Sequence, residues 1–149
     1  MSAERRVSLL VRDWMRAHPL VVRPKDSIDR ARALCEEHRI NQLPVVTNKT
    51  LVGIITDRDL RDAFPSVAEQ ARDPHRAHTE TAGTLVADVM SPQVLTVDET
   101  DTVERAAAVM QDERIGALPV LHGEELVGIL TRSDLLRALV ALARQAAAT

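Results

Sequence analysis

The chain repeats itself. Residues 10–64 align with residues 85–139 at a constant offset of 75 and without a gap, and 23 of the 55 positions are identical. Such a period constrains the fold before any local propensity is read, because each copy must adopt the same supersecondary unit. A unit of about 55 residues is marginal alone, since it buries too small a share of its surface. Two copies packed about a pseudo-two-fold axis resolve that difficulty. The organisation expected is an N-terminal segment at 1–9, a first unit at 10–64, a linker at 65–84, a second unit at 85–143 and a tail at 144–149. The stretch from Phe64 to Thr84, FPSVAEQARDPHRAHTETAGT, is polar and rich in turn formers, and reads as a linker with a helical start.

Within each copy the periodicity is readable. Leu20-Val21-Val22 and Leu95-Thr96-Val97 predict short strands. Ile28, Ala31, Leu34 and Cys35 share one face of a helix predicted from Ile28 to Arg39. Asp26 or Ser27 caps it, as Asp101 or Thr102 does in the second copy. A hairpin follows, from Leu43–Val46 through Thr47–Thr50 into Leu51–Ile55, with His122–Glu125 as the second turn. Pro44 and Pro119 are expected at the first positions of their strands, where a missing N–H is tolerated. A last helix starts at Thr56 or Thr131. The fold class is α/β (α+β), two β-α-β-β-α units, each with a right-handed strand–helix–strand crossover.

The two copies agree best in GIITDRDL (53–60) and GILTRSDL (128–135). Thr-x-x-Asp is the pattern of a capping box, in which threonine and aspartate satisfy each other's free N–H groups at a helix start. The same atoms suit a ligand. A helix N-terminus offers N–H groups and positive potential to a phosphate. A carboxylate one turn in can accept from both hydroxyls of a ribose. Gly53 and Gly128 leave room for a close approach. The two readings do not exclude each other, and both copies keep Gly, Thr and Asp while Asp57-Arg58 diverges from Arg132-Ser133.

Taken in order, Asp13-x-Met15 and Asp88-x-Met90, INQLPVV (40–46) and IGALPVL (115–121), and the two G-h-h-T-x-x-D stretches (h, hydrophobic) make the chain similar to a tandem pair of cystathionine-β-synthase (CBS) domains, a Bateman module. The resemblance implies a regulatory sensor with two sites in the cleft between paired domains, taking AMP, ADP, ATP or S-adenosylmethionine. It also implies a homodimer. Carried over by motif, phosphate and ribose would be held by Thr56 and Asp59, and by Thr131 and Asp134, with Gly53 and Gly128 beside them. Arg58 or Ser133 would assist with phosphate. Adenine would lie against Val21, Ile40 and Leu43, or against Thr96, Ile115 and Leu118. Members of the family often carry a basic residue before the Leu-Pro stretch, where this chain has Asn41-Gln42 and Gly116-Ala117. Unequal sites are therefore expected, the first better suited to a phosphorylated ligand and the second to a less anionic adenosine compound or to none. Arg39 and Arg114 recur, but each ends a helix, where a cation favours the dipole without any ligand.

Composition narrows the alternatives. Trp14 and Phe64 are the only aromatics, so a flat ligand has to be gripped by aliphatic side chains. A net charge of −3 gives no basic footprint for nucleic acid. No apolar run approaches a membrane span, and no signal peptide is evident. Cys35, the only cysteine, excludes an internal disulfide, and the cytoplasm is the expected compartment. Cys35 reads as a small core residue. His75, His78 and Glu80 have metal-like spacing but read as a surface loop, so no metal site is expected. No P-loop, dinucleotide fingerprint or catalytic constellation is present, and no enzymatic role is expected. Trp14 and Met15, with Leu9 and Leu10, form an apolar start that packs under the sheet or against a second chain. The partners expected are an adenosine-type small molecule, a second copy and an unidentified protein target, with no nucleic acid and no membrane. The competing reading is a structural or interaction module whose motifs are only helix caps.

Overall fold

The computed structural model describes residues 5–65 and 67–148, and of residues 67 and 78–82 the backbone alone. In chain order the first elements are a 3-10 turn at Val11–Asp13, β1 (Arg16–Ala17), α1 (Ile28–His38), β2 (Gln42–Thr47), β3 (Thr50–Thr56) and α2 (Asp57–Ala63). Then come α3 (Val67–Arg72), α4 (Pro74–Gly83), α5 (Val86–Val89), β4 (Val97–Asp98), α6 (Val103–Glu113), β5 (Ala117–His122), β6 (Glu125–Thr131) and α7 (Arg132–Ala148). The α+β class follows from this order. The chain divides into two compact units, Leu20–Val94 and Met1–Pro19 with Leu95–Thr149. Each unit takes a piece from both sequence copies.

In the Leu20–Val94 unit, β2 and β3 form an antiparallel hairpin and the core holds Val22, Ile28, Ala31, Cys35, Leu43, Val45, Ile55, Leu60 and Val86. In the other unit, β5 and β6 form the equivalent hairpin, β4 runs parallel to β5, and β1 pairs antiparallel with β6. Its core holds Val97, Ala106, Met110, Leu118, Val120 and Leu130, with Val11 buried among them. Val86 and Val11 are equivalent in the repeat, and each is buried in the core built on the other copy's hairpin. The main chain ties these segments down. Ser91 and Ile54 exchange both N–H···O bonds at 2.9 Å, and Val86 N–H donates to Asp26 O at 2.8 Å. Val11 N–H donates to Asp101 O at 2.8 Å and Val103 N–H to Leu9 O at 2.8 Å.

Local chemistry explains the element boundaries. Ser27 caps α1 by accepting from Arg30 N–H, and Thr102 caps α6 by accepting from Arg105 N–H. The helices end at His38 and Glu113, one residue before Arg39 and Arg114, which cap them in the left-handed region (φ 53° and 55°), each closing a bond back to Cys35 O or Met110 O. The two-residue hairpin turns put Asn48 and Gly123 at positive φ, which both residue types tolerate.

Three expectations are corrected. The predicted strand at Leu20–Val22 is a single parallel bridge, Val22 to Val45, whereas Val97–Asp98 is a true strand. Glu99 N–H extends the second ladder by donating to Leu121 O at 2.9 Å, and its repeat equivalent, Pro24, has no N–H to give. Pro44 and Pro119 stand third in their strands, paired with Ile54 and Ile129. Pro44 O accepts from Val22 N–H at 3.1 Å. A residue's N–H and C=O point to the same side of a strand, so the missing donor faces Val22 and the β2–β3 ladder loses nothing. The segment around His75 is not a loop but the start of α4. Asp73 caps it by accepting from Arg76 N–H at 3.0 Å, and Pro74 occupies the first helical position, where its lack of an N–H is harmless. The side chains of His78 and Glu80 lie outside the described residues.

Candidate functional site: two Thr-Asp clasps

The hairpins deliver Thr56 and Thr131 to helix starts. Thr56 N–H and Oγ1–H both donate to Asp59 Oδ2 at 2.9 Å, and Asp59 N–H donates back to Thr56 Oγ1 at 3.2 Å. Thr131 and Asp134 repeat the pattern, with distances of 2.8, 3.0 and 3.4 Å. Both stretches are capping boxes. In each box one carboxylate oxygen takes the threonine, which leaves the other oxygen available for a second partner.

At that second oxygen the copies part. Asp59 is half-buried, and among the described residues nothing bonds to its Oδ1. Asp134 is fully buried, and its Oδ1 accepts from Arg137 Nη2 at 2.6 Å. Arg137 also donates to Trp14 O at 3.2 Å and lies 5.7 Å from the centre of the Trp14 ring. The repeat equivalents of Arg137 and Trp14 are Asp62 and Val89. No motif singles out Arg137, but the offset-75 alignment carries its signal, as a charge reversal one turn past a matched aspartate.

The glycines have a different neighbour from the one expected. A Cβ on Gly53 would stand 2.6 Å from Met90 Sδ and 2.9 Å from Ser91 O. On Gly128 it would strike Met15 Sδ and stand 2.9 Å from Arg16 O. The room left by each glycine is filled by the methionine and main chain of an Asp-x-Met segment. This ties together two motifs that the sequence displays far apart. Asp88 in turn caps α5 by accepting from Leu85 N–H at 3.3 Å, and Asp13 accepts from the Ser8 hydroxyl.

Around each box the remaining candidates divide by burial. Arg58 and Ser133 are exposed, while Val21, Ile40, Thr96 and Ile115 are half-buried. Leu43 and Leu118 are fully buried in their cores, so only their main chain can face a ligand. All the first-copy candidates lie in the Leu20–Val94 unit and all the second-copy candidates in the other. Main-chain bonds run from the segment before each Leu-Pro stretch to the helix start: Asn41 O accepts from Asp57 N–H at 2.6 Å and Gly116 O from Arg132 N–H at 3.1 Å. Trp14 and Met15 pack against the core containing Val11, while Leu9 is half exposed. Cys35 is buried, and desolvation, with the nearby charges of Asp57 and Glu36, pushes its thiol pKa up. A thiol kept protonated in a core is inert.

Comparison with known proteins places these motifs. The CBS domain family model matches residues 11–66 and again 86–141. The chain is 32% identical over 143 residues to the chloroplastic CBS domain-containing protein CBSX2 of Arabidopsis thaliana, covering 84% of this chain and 60% of that protein. It is 32% identical over 125 residues to CBS domain-containing protein YhcV of Bacillus subtilis, covering 84% and 81%. Among solved structures, CBSX2 in complex with AMP superposes with a TM-score of 0.73 at 32% identity, over 92% of this chain and 100% of that one. The CBS domain pair of protein MJ0100, in complex with methylthioadenosine and S-adenosylmethionine, gives 0.68 at 27% identity, over 89% and 98%. The chain thus spans about 60% of the length of CBSX2 and most of YhcV. With two matches that together cover most of its length, the chain belongs to the CBS domain family.

Proposed function

We propose that this chain is a regulatory sensor that binds an adenosine-containing ligand, AMP, ADP, ATP or S-adenosylmethionine, and catalyses no reaction. The observation that carries the reading is the first box. Asp59 holds the helix cap with one oxygen, its other oxygen has no bonding partner among the described residues and is open to a ribose hydroxyl, and the preceding residue, Arg58, is exposed and able to meet phosphate. Two relatives of the same fold have been solved with adenosine compounds bound. Ligand binding here stabilises one conformation of the chain over others, and a dimer mate or a protein target reads that shift. The first site, with Arg58, takes the phosphorylated ligand better than the second, which has Ser133. The proposed dimer has support in α7, where Leu136, Leu139 and Val140 form an apolar stripe of exposed side chains at helical spacing. The free, buried Cys35 suits a reducing compartment such as the cytoplasm. Among the described residues no helix is long and apolar enough to cross a membrane.

The test is a melt of the purified chain with each of the four compounds and with buffer alone. A ligand at 100 times its Kd adds about 2.7 kcal/mol, which is roughly 5–11 °C for a chain of this size. Absence of any shift, together with no heat in calorimetry, would leave the structural or interaction module as the surviving reading. Sedimentation of the same sample checks the dimer, and a mass of one chain at all concentrations rules it out.

A further inference from the structure

We infer that Arg137 closes the second clasp from within, so that the chain binds one adenosine ligand rather than two. The inference rests on the adenosine reading above and assigns a regulatory residue to it. Asp134 has no exposed surface, and both of its oxygens are engaged: Oδ2 by Thr131 N–H and hydroxyl, Oδ1 by Arg137 Nη2 at 2.6 Å. A ribose diol offers neutral donors. To reach Oδ1 it has to displace a charge-assisted bond, which is roughly twice as strong as a neutral one, and leave a buried carboxylate without its counter-charge.

Arg137 is also held from behind. Its guanidinium donates to Trp14 O and lies over the Trp14 ring, although 60% of its side chain remains exposed. The first copy has neither part of this latch. Asp62 stands at the position of Arg137 and Val89 at that of Trp14, and Asp59 Oδ1 keeps no partner among the described residues. The difference lies in the side chain three residues beyond the aspartate, one helical turn on, where it meets the carboxylate. Arg137 is therefore an intramolecular occupant of the second site, an autoinhibitory contact built into α7.

The test titrates AMP by calorimetry into the wild-type chain, Arg137→Ala and Asp62→Arg, each checked by circular dichroism and thermal melting. One AMP per wild-type chain, two per Arg137→Ala chain, and an affinity at least tenfold weaker in Asp62→Arg are the expected results. Asp62 is exposed, so its replacement tests the idea even if Arg137→Ala, which strips a buried charge of its partner, fails to fold. Two AMP per wild-type chain, or one per folded Arg137→Ala chain with unchanged affinity in Asp62→Arg, overturns the inference and leaves the adenosine reading standing. No heat with any of the three proteins overturns the inference, and the adenosine reading then stands or falls on the melts with ADP, ATP and S-adenosylmethionine.

Discussion

Neither Gly53 nor Gly128 has room for a single added methyl group. Gly53 and Gly128 are at ordinary backbone angles, so it is space rather than conformational freedom that requires them. An added Cβ meets a methionine sulfur, which can swing aside, and a main-chain carbonyl at 2.9 Å, which cannot. Gly53→Ala and Gly128→Ala are each expected to destabilise by about 1–3 kcal/mol, the usual cost of overpacking. Melting temperature reads this out, at roughly 2–4 °C per kcal/mol. Adding Met90→Ala to Gly53→Ala should recover only part of the loss, because the Ser91 carbonyl stays; full recovery would place the whole clash on the sulfur. The sequence displays both motifs twice, but it gives no sign that Met90 meets Gly53 and Met15 meets Gly128. Spacing within a copy pairs each methionine with the wrong glycine.

The elements were most legible where a local rule operates alone. Ser27, Thr102, Thr56 and the two hairpin turns all act through groups three residues away or nearer, and the sequence announces them. The strand expected at Leu20–Val22 shrinks to one bridge because Pro24, whose effect the apolar run hides, withholds the one N–H that lengthens its counterpart. Helix α4 is hidden in the sequence because its turn-forming composition masks the Asp73-Pro74 start signal. Of the candidate site, the repeat identified the Thr-Asp boxes, but the occupant of Asp134 Oδ1 depends on how α7 and the Trp14 turn meet. The same contrast separates the two caps energetically. Thr56→Ala is expected to cost about 1 kcal/mol, as for an ordinary N-cap. Thr131→Ala should cost more, by about 1 kcal/mol again, because a fully buried carboxylate loses a hydroxyl donor that water cannot replace. Melting curves of the two variants decide it, and equal losses would mean that burial of Asp134 does not matter to its cap.

At the scale of the whole molecule, the repeat in the sequence and the compact unit in space are cut at different places. A fragment ending at the first copy, 10–64, keeps the β2–β3 hairpin but lacks Val86, which is fully buried against it, and the Met90-Ser91 segment that bonds Ile54. It carries instead residues 10–19, whose contacts belong to the other unit. A fragment of residues 20–94 holds every residue of that core, together with the main-chain bonds from Val86 to Asp26 and between Ser91 and Ile54. Apolar side chains such as valine contribute about 1.5–3 kcal/mol each when fully buried, a large share of the 5–15 kcal/mol that holds a small domain together. Expressed alone, residues 20–94 should therefore give a helical circular dichroism spectrum and a cooperative melt, and residues 10–64 should give neither. For the other unit, residues 95–149 lack Val11, Met15 and the β1 strand that pairs with β6. They should gain helical signal on addition of a peptide of residues 5–19, whose Val7 N–H also donates to Gln145 at 2.6 Å. A peptide carrying Val11→Asp should not restore that signal, since it would bring a charge into a core position with no exposed surface. A cooperative fold in 10–64 with none in 20–94 would show instead that the sequence repeat is itself the folding unit.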